Sequence, residues 1–87
     1  MIQQFHDGLI QVDLLLNTYD DKISAAKSEQ ECIEIHANLG EVTIGLRQLA
    51  LMFHTKEYVF EIFSRLSRVT ELCNKNIRKL NEIMKTP

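Results

Sequence analysis

An all-α fold, an antiparallel three-helix bundle with coiled-coil-like heptad seams, follows from three features of this sequence. Apolar residues recur at alternating steps of three and four over three long stretches, the spacing that puts them on one stripe of a 3.6-residue helix. The single proline is the last residue, and only three glycines remain to build tight turns. Hydrophobic content of 45% with 25% charged residues is ordinary for a globular chain, so wholesale disorder is not expected. Eighty-seven residues make one helical domain, 1–87, with a thin core, because a chain this short buries only about 60% of the surface its unfolded form exposes.

The first helix is expected over about 2–26. Ile2, Phe5, Leu9, Val12, Leu16, Tyr19, Ile23 and Ala26 form an unbroken three-and-four alternation, a coiled-coil-like seam that Gly8 interrupts mildly. Ile10 and Leu14 lie one turn apart and project off that seam. They form a small outer patch, either tolerated, as isolated exposed apolar residues often are, or used as a contact. The chain then turns polar, and a short loop over 25–28 is expected, with a bent continuous helix as the alternative.

The second helix, about 29–53, opens on Ser28 and Glu31, the form of a capping box in which the hydroxyl accepts from an orphan amide and the glutamate reaches back. Cys32, Ile35, Leu39, Val42, Leu46, Leu49 and Phe53 form its core stripe. A second apolar set, Ile33, Ala37, Ile44 and Leu51, falls on nearly the opposite side, and Arg47 is the one charged residue between Val42 and Phe53. Two faces of this helix therefore call for burial. Gly40 and Gly45 each cost roughly 1 kcal/mol relative to alanine inside a helix. They mark either a close approach of another backbone or a locally weak helix. The run is too short and too often charged to span a bilayer, which takes about 20 apolar residues.

The third helix, about 56–85, has Thr55 as its expected N-cap and Glu57 in the first turn, where the macrodipole favours negative charge. Its seam is Val59, Ile62, Leu66, Val69, Cys73, Asn76, Leu80 and Ile83, with Phe63, Ile77 and Met84 widening the stripe. Glu61 with Arg65 and Glu71 with Lys75 are i to i+4 pairs worth about 0.2–0.5 kcal/mol each. Asn76 on the seam either fixes register, as a polar seam residue can, or sits wet at a frayed end, with the balance toward the second.

Net charge is −2, which singles out neither nucleic acid nor membrane as a partner. Residues 1–27 carry four Asp against two Lys, 28–54 four Glu against one Arg, and 55–87 seven Lys and Arg against four Glu. The preferred reading is charge complementarity within the bundle, a basic third segment beside acidic ones. The alternative is nucleic-acid binding through Arg65, Arg68, Lys75, Arg78, Lys79 and Lys85. Cys32 and Cys73 fall at inward positions. Together with the absence of a signal-peptide pattern they point to a reducing, cytoplasmic setting without a disulfide.

Chemistry finds little footing here. Cys32 and His36 lie one turn apart, but two donors do not make a metal site, and there is no Cys-x-x-Cys or His-Glu-x-x-His. No glycine-rich phosphate loop is present, and three helices of this length leave little room for the cleft that nucleophilic catalysis requires. Neither enzymatic activity nor a cofactor is expected. The run His36, Ala37, Asn38, Leu39, Gly40, followed by Ile44, Gly45 and Leu46, is loosely similar to histidine phosphotransfer domains. In those domains the phosphorylated histidine sits exposed on a bundle helix, with a lysine and then a glycine just after it. The resemblance covers about ten of the 87 residues, and it implies His36 as phosphoacceptor. Leu39 stands at the lysine position, and domains of that family are usually longer, with at least four helices.

A closed bundle buries one stripe per helix, so the back of the second helix and the Ile10, Leu14 patch stay uncovered. The expected function is therefore a small helical protein-protein interaction module, an adaptor, chaperone or regulatory subunit. It self-associates as a homo-oligomer or binds a partner helix through Ile10, Leu14, Ile33, Ala37, Gly40, Ile44 and Leu51.

Overall fold

The computed structural model describes residues 2–85. Three helices, α1 (Gln3–Ala25), α2 (Glu29–Met52) and α3 (Lys56–Lys85), pack against one another along a body of 51 × 17 × 15 Å. Each bound falls within one residue of the sequence-based expectation.

The two connections need neither glycine nor proline. After α1, Ala26 takes an extended conformation, tucks its side chain into the core, and Ser28 starts α2. The Ser28 hydroxyl accepts from the Glu31 amide at 3.2 Å and donates to the Glu31 carboxylate at 3.1 Å. The cap forms, with the glutamate meeting the serine hydroxyl. At the other turn the Thr55 carbonyl accepts from the Val59 amide at 3.0 Å, which puts Thr55 at the N-cap position of α3, and Glu57 lies in the first turn. Phe5, Phe53 and Tyr58 close this end of the bundle, their ring centroids 4.6–5.1 Å apart in tilted and edge-on pairs.

The core runs the length of the bundle through Leu9, Leu16 and Ile23 of α1, Cys32, Ile35, Leu39 and Leu46 of α2, and Ile62, Val69 and Leu72 of α3. Three expectations change and one open alternative is decided. Ile2 precedes α1 and is exposed, its amide donating to the Tyr58 hydroxyl at 3.3 Å, so the first seam begins at Phe5. Phe63, Ile77 and Met84 do not widen the buried stripe of α3; each is half or more exposed, while Leu72 is 3% exposed and belongs to the core. The reason is geometric: α3 lies against both α1 and α2, so its buried arc follows the bisector of those two directions, which residue spacing alone does not set. Asn76 is buried, not wet. Finally, among the described residues a Cβ built on Gly40 or Gly45 meets nothing within 4 Å, so no tight crossing is made at either.

Candidate functional site

The groove between α1 and α3 is closed by charge. Arg65 forks onto Asp13, its Nε and Nη2 donating to the two carboxylate oxygens at 3.0 and 2.9 Å, and its Nη1 donates to Glu61 on its own helix. These hydrogen bonds, Asp13's above all, raise the Arg65 pKa further. Arg68 donates to Asp20 and Asn17 at 3.3 Å, and Lys75 donates to Asp20 and to the Ser24 hydroxyl. The Asp20 carboxyl is held below its usual range, chiefly by the Lys75 hydrogen bond, against an opposing push from burial, with Arg68 adding to the fall. Lys75 thus turns to α1 instead of forming the expected pair with Glu71. The basic third helix complements the acidic first helix.

The groove between α2 and α3 is apolar. Ile33 and Ile77 line its outer end together with Cys32, His36, Asn76 and Leu80. From Ile33, steps of four, three and four lead through Ala37 and Gly40 to Ile44, and seven more residues reach Leu51, so these share a face of α2. Seven-residue steps place Phe63, Thr70, Ile77 and Met84 on one face of α3. The two helices run antiparallel, tied at one end by Asn76 and Cys32 and at the other by Phe53 and Tyr58. The two rows therefore lie side by side along the bundle. Ile33, Ile44, Leu51, Phe63, Ile77 and Met84 are each half or more exposed. The Thr70 hydroxyl donates to the Leu66 carbonyl at 3.1 Å, so this residue is satisfied internally. Arg47, between Ile44 and Leu51, makes no ion pair among the described residues.

The structure thus brings together Ile33, Ala37, Gly40, Ile44 and Leu51 of the expected contact set. It leaves Ile10 and Leu14 apart, exposed on α1, a helix that does not border this groove. Phe63, Ile77 and Met84 join the surface although their stripe reads as core from sequence. Phe60, also exposed, flanks them. The signal was present: the seven-residue repeat from Phe63 to Met84 runs parallel to the seam without being needed to complete it.

At the outer end of the groove the Asn76 amide donates to the Cys32 carbonyl at 2.8 Å, while its Oδ1 is buried with no partner among the described residues. Burial pushes the Cys32 thiol up, with a smaller push from Glu31 and an opposing pull from Lys79; burial does the same to Cys73. Both are free thiols, and a raised pKa is the opposite of what a nucleophilic cysteine needs. His36 is exposed on α2, but Leu39, at the lysine position of the phosphotransfer resemblance, is fully buried in the core. Among the described residues no group of three or more His, Cys, Asp or Glu is placed to hold a metal ion, and no helix is long and apolar enough to cross a membrane. The chain matches no protein-family model, no curated protein and no solved structure.

Proposed function

We propose that this chain is a small helical protein-protein interaction module, an adaptor, chaperone or regulatory subunit, that docks apolar helical surface onto its α2–α3 face. One observation carries the reading: two parallel rows that include the large apolar side chains Ile33, Ile44 and Leu51 on α2 and Phe63, Ile77 and Met84 on α3, each half or more exposed, run along the bundle, with Arg47 the one charge between Ile44 and Leu51. Monomeric proteins rarely leave a contiguous apolar patch of more than a few hundred Å² open, and larger ones mark contact sites. Full burial of a side chain such as isoleucine or phenylalanine is worth about 1.5–3 kcal/mol, so covering half of each of six supplies a substantial driving force for association. The nucleic-acid alternative has less to draw on, because Arg65, Arg68 and Lys75 are already committed to α1. The reading places the chain in the cytoplasm, supported by two free thiols.

The test is photo-crosslinking in the cells that make the protein, from a reactive side chain installed at Ile44 or Phe63 and, as a control, at exposed Gln11 on α1. Protein adducts are expected from the first two positions and not from the third. Adducts from Gln11 alone, or from none of the three, would reject the α2–α3 face as the docking surface.

A further inference from the structure

We infer that the occupant of the α2–α3 face is a second copy of this chain, related by a two-fold axis that crosses the groove at the level of Asn38 and Thr70. This rests on the reading of that face as a docking surface and adds the partner and the register. The α2 row, Ile33, Ala37, Gly40, Ile44, is spaced four, three, four and reads large, small, small, large, so it is the same in both directions. Its midpoint lies between Asn38 and Leu39. The Asn76 to Cys32 hydrogen bond sets the level of α3 beside it: six residues on from Cys32 is Asn38, and six back from Asn76 is Thr70. Thr70 is midway between Phe63 and Ile77, seven residues from each. The Ile33 to Ile44 stretch of the α2 row and the Phe63 to Ile77 stretch of the α3 row are therefore symmetric about one level of the bundle, with Leu51 and Met84 outside the symmetric stretches.

That is the requirement of an isologous interface, in which one patch must be complementary to itself, and an unrelated partner imposes no such symmetry. Rotation about this axis sets Ile33 against Ile44 of the second copy, Ala37 against Gly40, and Phe63 against Ile77. Arg47, which makes no ion pair among the described residues, comes level with Gln30 of the second copy, one residue from Glu29, which lies one turn before Ile33 on the same stripe. Gly40 acquires a reason. A Cβ there meets nothing within 4 Å among the described residues, yet in the dimer it would stand between two backbones drawn together by small residues. The size also fits: a face 51 Å long and 15–17 Å wide covers roughly 800 Å², about what each partner contributes to a stable interface of standard size.

The experiment is solution mass by sedimentation equilibrium across micromolar concentrations, with helicity followed by circular dichroism. The wild-type chain is expected at twice 10.1 kDa. Ile33→Lys and Ile44→Glu are each expected to weaken the dimer at least tenfold with helicity intact, and Gly40→Leu to do the same. The double variant Ile33→Lys with Ile44→Glu is expected to dimerise at least tenfold more tightly than either single variant, because each introduced lysine meets an introduced glutamate of the other copy. A wild-type chain at 10.1 kDa throughout would overturn the second-copy assignment. A wild-type dimer whose double variant is no tighter than the single ones would overturn the register. The Ile44 crosslink separates this from the docking reading itself: an adduct with a different protein keeps the surface and removes the second copy, and no adduct removes both.

Discussion

Helix α3 makes two long grooves, one with α1 and one with α2, and they are built from opposite chemistry. Against α1 it presents Arg65, Arg68 and Lys75, each tied to an aspartate of that helix. Against α2 it presents Phe63, Ile77 and Met84, half or more exposed beside an equally bare row from α2. Exposed ion pairs contribute only about 0.2–1 kcal/mol each, so the charged groove sets which helix lies where more than it holds the bundle together. The apolar groove does the reverse. It adds little to the isolated chain and holds its free energy in reserve for whatever covers it.

Five measurements would break or sharpen that contrast. The largest effect belongs to the core beneath the charged groove. Leu72→Ala should lower stability to denaturant by about 2–5 kcal/mol, whereas Phe63→Ala on the apolar side should change it by less than about 0.5 kcal/mol at concentrations that keep the chain monomeric. Comparable losses would mean that the two sides of α3 do not differ as described. Next comes Asn76→Leu, expected to stabilise by about 1 kcal/mol, because it removes a buried oxygen without a partner and gives up only one hydrogen bond to a carbonyl; a destabilised variant would show that this bond matters more than the orphaned oxygen. In dilute solution Gly40→Ala should raise the melting free energy by about 0.8–1 kcal/mol, since the added methyl meets nothing and alanine is the better helix former. No gain there would indicate a backbone requirement hidden in the single chain.

The charged groove yields smaller numbers. A double-mutant cycle on Asp13 and Arg65 should give a coupling of about 0.2–1 kcal/mol that shrinks with added salt, and a salt-independent value would place the pair in a drier setting than the geometry indicates. Smallest is the acid response of Asp20. Its folded pKa is depressed, chiefly by Lys75, so its contribution is complete above the ordinary aspartate value of 3.8 and is lost as pH falls through the lower folded value. Wild type should therefore lose slightly more stability below about pH 4 than Asp20→Asn does. Parallel acid profiles for the two proteins would remove the Lys75 hydrogen bond as the cause.

Much of this was legible beforehand. The three-and-four alternation located every helix to within a residue, and Ser28 with Glu31 marked the start of α2 by local hydrogen bonding alone. The second face of α2 was also readable, because Ile33, Ala37, Ile44 and Leu51 cannot share a stripe with Cys32 and Leu39 on a 3.6-residue helix. The other half of the surface was not. Phe63, Ile77 and Met84 look like core residues when α3 is read alone, and Leu72 does not.

By itself, then, the sequence determined what short-range forces control: helix bounds, caps, the existence of one apolar stripe on each helix and a surplus on α2. Only the tertiary structure decided which side of α3 is buried, that its cations turn to α1, and that two leftover rows lie level in one groove. The physical reason is that spacing along a helix gives relative angles between its side chains. The direction those angles are measured from is set by where the neighbouring helices stand.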